Sequence, residues 1–214
     1  MNLPLKYSKL EPSFYLGEDV LSIAKSLLGK LLVSQINGEF TAGMIVETEA
    51  YRGVEDRASH AFNNRRTTRT EVMFARGGVA YVYLCYGIHH LFNVVTNREE
   101  VPHAILIRAI EPLFGKEIMQ RRTDKKKWDH SIGSGPGNVT KALGIHTMHT
   151  GTSLNGDEVF IADYGISFQD PMIIATPRVG VDYAGEDAKL PYRFVIRDHP
   201  NVSAKTFTSK YTGT

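Results

Sequence analysis

Two glutamates separated by a single residue, Glu47 and Glu49, lie in the run Gly43-Met44-Ile45-Val46-Glu47-Thr48-Glu49-Ala50-Tyr51-Arg52-Gly53. A positioned carboxylate can take a proton from water, and one that is buried requires either a partner or a shift toward its neutral form. The run opens with three apolar residues and has Gly at both ends, which reads as a strand. On extended backbone Ile45, Glu47, Glu49 and Tyr51 share one face, and Met44, Val46, Thr48 and Ala50 the other. Neither face is wholly apolar. The pattern fits a buried general base, and it also fits a strand end whose carboxylates pair with surface arginines.

Aromatic residues supply the second kind of chemistry. Gly77-Gly78 precedes Tyr81-Val82-Tyr83-Leu84-Cys85-Tyr86-Gly87, a strand that ends in a turn, and Leu91 to Val95 reads as its returning partner. Tyr86 then falls at the tip of a hairpin, a poor place for a core residue and a suitable one for a wedge between stacked bases. Tyr81 and Tyr83 fit a sheet interior as well. Between the glutamate run and this hairpin lies a polar stretch with His60, Arg65, Arg66 and Arg69. It suits phosphate contact, or an ordinary solvated loop.

Other elements must position these groups. Glu18 to Lys30 has helical spacing, and Asn37-Gly38 between apolar runs signals a hairpin joining Leu31–Ser34 to Glu39–Thr48. Ala104 to Ile110 is a further strand whose Arg108, set among aliphatics, requires an acidic partner; Glu47 and Glu49 qualify if the strands are neighbours. Pro112 is expected to open a helix toward Arg121 and Arg122, and Lys125-Lys126-Lys127 forms a basic patch. Gly133-Ser134-Gly135-Pro136-Gly137-Asn138 precedes a short helix at Val139–Leu143, whose N-terminal amides suit an anion. The loop lacks the Gly-Lys-Ser/Thr ending of a nucleotide P-loop and dinucleotide-fingerprint spacing. Ile173 to Val181 has a buried pattern, Tyr192 to Arg197 reads as a closing strand, and the tail after Ser203 is polar.

The totals set limits. A chain of 214 residues, 42% hydrophobic, can bury a substantial core, and one domain over 1–214 with its core at about 15–203 is the economical division. With 25 Lys and Arg against 23 Asp and Glu, charge alone announces no nucleic acid. One cysteine, Cys85, excludes an intrachain disulfide and a Cys-rich zinc site. No run approaches the roughly eighteen apolar residues of a membrane span, and Met1–Leu16 lacks a signal-peptide core. A bacterial protein in the cytoplasm is expected, free of membrane.

Taken together, Glu49, Tyr51, His60, Tyr83, Tyr86, Asn93 and Arg108 resemble the pattern of the alkyladenine, or mammalian-type 3-methyladenine, DNA glycosylases. The likeness runs from about Tyr15 to Ser203 through several ordered blocks. They include Glu47-Thr48-Glu49-Ala50-Tyr51, Tyr81-Val82-Tyr83, Arg108-Ala109-Ile110-Glu111-Pro112, Ser134-Gly135-Pro136 and Arg178-Val179-Gly180-Val181. The resemblance implies a single α+β domain, with a curved and largely antiparallel sheet, surrounding helices and a protruding β-hairpin. It implies a monomeric, metal-free and cofactor-free enzyme that excises damaged purines from double-stranded DNA, associating with the nucleoid through that binding. By resemblance Glu49 activates the attacking water, which Arg108 and the Val179 carbonyl help to hold. Tyr51 stacks on one face of the flipped base, with His60 and Tyr83 on the other side. Asn93 crowds the exocyclic amine of guanine and Tyr86 is the intercalating wedge. Arg65, Arg66, Arg69 and Gly135 are candidates for the DNA backbone. Ile88 and His89 stand where mammalian members have a methionine and a tyrosine, which leaves opposing-base preference open.

The chemistry is compatible with these roles. Reaching a glycosidic bond inside a duplex requires flipping the nucleotide out, at roughly a few kcal/mol. Cationic alkylated purines would gain about 0.5–2 kcal/mol from electron-rich aromatic faces. A carboxylate beside an oxocarbenium-like sugar stabilises it while deprotonating water. Neutral hypoxanthine or ethenoadenine would also need a donor at the purine, which the sequence does not name. From Thr41 to Gly115 there is no lysine, which favours water over a Schiff-base nucleophile. Two other readings are a non-catalytic module that stacks bases on tyrosines, and an enzyme on free nucleosides that uses Glu47 and Glu49 as an acid–base pair.

Overall fold

Aliphatic residues clustered in short runs, broken by Gly, Asn and Asp turns, form one strongly curved sheet. In the computed structural model, which describes residues 7–204, its strands are β1 (Ser8–Lys9), β2 (Leu31–Ile36), β3 (Glu39–Tyr51), β4 (Ala80–Cys85), β5 (His89–Thr96), β6 (His103–Phe114), β7 (Val159–Asp163), β8 (Ile173–Thr176) and β9 (Arg193–Ile196). They lie in the order β1-β7-β2-β3-β6-β5-β4, with β9 beside β3 and β8 beside β9. Every pairing is antiparallel. Three α-helices, α1 (Val20–Ser26), α2 (Lys116–Arg122) and α3 (Pro136–Leu143), and several single 3₁₀ turns complete the α+β domain among the described residues.

β3 is the axis. Its first half pairs with β2 through the expected Asn37-Gly38 turn, and its second half pairs with β9, so that Glu47 lies opposite Val195 and Glu49 opposite Arg193. Along its other edge runs β6, whose register breaks three times. Such bulges bend a strand and re-aim side chains. At one of them Glu47 pairs with Ala109 and Thr48 with Ile107, so Arg108 is the extra residue, opposite none. That places a guanidinium beside both glutamates. The crowding is tight at Gly43, where a Cβ would come within 2.6 Å of Ile110.

The main core packs Leu27, Leu28, Leu31, Ile45, Val46, Ile105, Ile107, Ile110, Leu143 and Ile161, all fully or almost fully buried. Each such aliphatic contributes about 1.5–3 kcal/mol by leaving water. Two smaller clusters lie apart from it. One holds Met73, Phe74, Tyr81 and Val95 with Tyr83 at its margin; the other holds Ala58, Val181 and Ala184 with Tyr51 at its margin.

Three sequence expectations change. α1 is shorter than Glu18–Lys30: Asp19 caps its start by accepting from the Leu21 amide at 3.0 Å, and it ends at Ser26, ahead of Gly29 at φ 86°. The strand predicted to end at Thr48 continues to Tyr51, carrying Glu49 within the sheet. Pro112 opens no helix: it sits inside β6 at a bulge, where its missing N–H is tolerated, and α2 starts only after the left-handed Gly115. The polar tail from Lys205 onward lies outside the described residues.

Candidate active site

Glu47 and Glu49 are both fully buried and have different surroundings. Glu47 accepts from Arg108 Nε at 3.0 Å, Arg193 Nε at 2.7 Å, the Ser203 amide at 2.7 Å and the Ser203 hydroxyl at 3.0 Å. Four donors hold this carboxylate, three at Oε1 and one at Oε2, which suits a structural role. Glu49 accepts from the Val179 amide at 2.8 Å and from the Tyr51 hydroxyl at 2.9 Å, and Arg108 Nη1 stands 3.4 Å away. The Arg108 guanidinium is held well above its usual range by the two carboxylates, Glu49 first, which outweigh the opposing effect of burial. It is therefore a fixed positive charge.

Tyr51, Arg108 and Val179, the partners of Glu49, form part of the wall of a cavity of about 570 Å³, which also includes His60, Tyr83 and Asn93. The candidates drawn from six separate segments of the sequence thus converge. Tyr51 stays a phenol, its ionisation pushed far up by burial and by the negative Glu49. Behind its ring stands Arg178, 4.8 Å from the centroid, bonded to Asp56 at 2.5 and 2.8 Å and to the Ala50 carbonyl at 3.0 Å. Asn93 is immobilised by donating to the Tyr81 and Leu91 carbonyls at 3.1 and 3.3 Å.

His60 and Tyr83 meet edge-to-face at 4.7 Å. His60 Nδ1 lies 2.8 Å from the Tyr81 hydroxyl, and its Nε2 lies 3.0 Å from Arg69 Nη2. Arg69 Nη2, which can only donate, also lies 3.4 Å from Nδ1. Burial and the nearby Arg69 and Arg65 push the imidazole down to about 4, so it is neutral near pH 7.

The remaining candidates have different surroundings. Tyr86 is 89% exposed at the tip of the β4–β5 hairpin, at φ 50° and followed by Gly87 at φ 73°. Both φ values are positive, as in a type I′ turn. Gly135, at φ 91°, lies on the cavity wall just before α3, a backbone shape that a side chain would strain. Arg65 is exposed and has no carboxylate partner among the described residues. Arg66 has two, Glu71 at 2.8 Å and Glu100 at 2.6 Å. Arg69 belongs to the pocket wall, 4.7 Å above the Tyr83 ring.

Sequence reasoning missed the Arg178–Asp56 pair, the Arg193–Ser203 clamp on Glu47, and Tyr183, which is exposed at the cavity wall and donates to the Ala58 carbonyl at 3.1 Å. An arginine inside the buried pattern of Ile173–Val181 was the one available signal for the first. Among the described residues no cluster of three or more His, Cys, Asp or Glu is placed to hold a metal ion, and no helix is long and apolar enough to cross a membrane.

The arrangement can hold a flat ring between aromatic faces and hold a buried carboxylate behind it, which is the layout of a hydrolytic pocket. A family model described as methylpurine-DNA glycosylase (MPG) matches residues 13–200. A Chlamydia felis protein provisionally named 3-methyladenine DNA glycosylase is 50% identical over 188 residues, covering 87% of this chain and 95% of its own length. A Bacillus cereus protein with the same provisional name is 46% identical over 203 residues, covering 91% and 98%. The chain belongs to the methylpurine-DNA glycosylase family, and is thereby a DNA glycosylase of the hydrolase class.

Proposed function

We propose that the protein flips damaged purines, among them 3-methyladenine, other alkylated purines, hypoxanthine and ethenoadenine, out of duplex DNA. It then hydrolyses the N-glycosidic bond with water activated by Glu49. The observation that carries this reading is the coupling of Glu49 to three groups of the cavity wall, the Tyr51 hydroxyl, the Arg108 guanidinium and the Val179 amide.

In this mechanism the extruded base enters between Tyr51 and the His60–Tyr83 pair while Tyr86 fills the vacated stack. Water attacks C1′, its proton passes to Glu49, and the purine leaves with the electrons of the broken C1′–N bond. Arg108 sets a positive charge 3.4 Å behind the Glu49 carboxylate, which in turn faces the developing sugar cation. Val179 spends its amide on Glu49 and keeps its carbonyl for the water. Asn93, held rigid, crowds an exocyclic amine. Arg65 and the Gly135 loop contact the DNA backbone; Arg66, already matched by two carboxylates, contributes little net charge there. No lysine is among the described residues lining the cavity, which favours water and opposes a lyase step.

The four hydrogen bonds and two arginines that hold Glu47 argue against a paired acid–base mechanism on free nucleosides. A module that only stacks bases would have no use for Glu49. Single-turnover release of hypoxanthine, ethenoadenine or an alkylated purine from duplex oligonucleotides, wild type against Glu49→Gln at fixed salt, tests the reading. A loss of about 10²–10⁴-fold with DNA binding retained is expected. Lesion binding without release by either protein would establish the stacking module instead. Equal release by both would keep the enzyme and remove Glu49 from the mechanism.

A further inference from the structure

The aromatic faces of this pocket already carry cations. Arg178 lies over Tyr51 at 4.8 Å, and its charge is matched by Asp56. Arg69 lies over Tyr83 at 4.7 Å and differs: no carboxylate pairs with it among the described residues. Among the described residues its hydrogen bonds go to neutral groups, from Nη2 to the His60 ring at 3.0 Å (Nε2) and 3.4 Å (Nδ1) and from Nε to the Tyr81 hydroxyl at 3.4 Å. Its Nη1 donors bond none of the described residues, and the side chain lines the cavity. Solvent meets this charge in the free protein, where Arg69 is exposed; a base stacked in the pocket would take the place of that solvent.

Leaving-group chemistry gives such a cation a use. A cationic purine departs neutral when the C1′–N bond breaks. A neutral purine departs carrying the bond's electron pair as a negative charge, and needs a donor or a positive charge beside it. Imidazole does not supply that charge here, because His60 is neutral near pH 7. Arginine retains its proton at any working pH and has donors to spare.

We propose that Arg69 is the electrophilic group of this pocket, donating a hydrogen bond to a neutral purine as it leaves and so selecting neutral lesions over cationic ones. The inference deepens the glycosylase reading above and rests on it. Arg69 transfers no proton: water gives hydroxide to C1′ and its proton to Glu49, and solvent protonates the departed purine. For a cationic base the same guanidinium is a repulsive neighbour, which offsets the cation–π attraction of the tyrosines.

The test compares hypoxanthine with 7-methylguanine in the same duplex sequence, in single turnover, with wild type, Arg69→Gln and Arg69→Lys. The side chain is exposed, so the fold tolerates both changes. Wild type should release both bases. Arg69→Gln should lower the ratio of the hypoxanthine rate to the 7-methylguanine rate about tenfold or more, as on removal of an oxyanion donor. Arg69→Lys, retaining the charge, should recover part of the hypoxanthine rate. Equal losses on both bases, no loss on either, or release of 7-methylguanine alone by wild type would each overturn the proposal and leave the glycosylase reading standing. Release of neither base by wild type would overturn that reading and this one with it.

Discussion

The hydroxyl of Tyr51 donates to Oε2 of Glu49 across 2.9 Å, which joins an aromatic ring of the cavity wall to the carboxylate two residues before it on the same strand. The two are one unit, and Tyr51→Phe separates their contributions. The ring remains in front of Arg178, while the buried carboxylate loses a donor worth about 1 kcal/mol. Lesion binding should survive, and single-turnover release should slow by about a factor of five to ten. Titration of lesion DNA followed by rapid quench measures both. A variant that binds as weakly as Tyr51→Ala would show that the hydroxyl serves binding.

Tyr86 occupies a left-handed backbone conformation at φ 50°, where a bulky residue costs about 1–2 kcal/mol and asparagine far less. The ring is exposed and returns little of that to the fold. Tyr86→Asn should therefore melt slightly higher than wild type while binding lesion duplex roughly tenfold more weakly, consistent with stacking energies of about 1–3 kcal/mol. Calorimetry and fluorescence of a duplex carrying ethenoadenine would report the opposed changes. A fall in melting temperature would assign the tyrosine a structural part instead.

Asp56 and Arg178 form a bidentate pair, fully enclosed behind Tyr51. Asp56→Asn leaves a buried guanidinium without its counter-charge, which should destabilise the fold by about 3–5 kcal/mol. Urea denaturation is the direct measure. A loss below 1 kcal/mol, on the scale of a surface pair, would mean that water reaches the site.

His60 gives the fold a pH dependence of definite sign. Its folded value of about 4 lies below the ordinary 6.5, chiefly through burial, so between these values the unfolded chain binds the extra proton. Stability present above about pH 6.5 is lost progressively as pH falls toward 4, by an amount on the order of a few kcal/mol. The loss should be smaller in His60→Gln. His103 and His146 are displaced the same way by burial, so the difference between the two proteins, not the slope of either, isolates His60. Identical urea midpoints against pH for both would count against the buried, neutral imidazole.

Much of the site was legible because one-dimensional patterns encode strands well. An arginine among aliphatics required a carboxylate, and Arg108 found both glutamates; an aromatic next to Gly87 had to occupy a turn, and Tyr86 does. Alternation placed Glu49 and Tyr51 on one face, where they bond. What escaped were long-range pairings and irregular backbone. Asp56 and Arg178 are separated by 122 positions, and nothing local distinguishes Asp56 from its acidic neighbour Glu55. The bulges that turn Arg108 inward leave no periodic trace, and Pro112 was read as a helix start because its place in a bulge depends on the neighbouring strand. Three arginines close in sequence took three different surroundings. Arg65 stands in solvent, Arg66 against Glu71 and Glu100, and Arg69 in the pocket.

The clamp on Glu47 also sets an order of assembly during synthesis. Arg193 and Ser203, which neutralise and cap this carboxylate, follow it by 146 and 156 positions. Until both have left the ribosome, the central strand carries a carboxylate that cannot be buried without two of its partners, and β9 cannot close the edge against which Glu49 lies. A nascent chain stalled short of Ser203 should therefore be cut by protease within β3 and excise nothing, whereas the released chain should resist cleavage there.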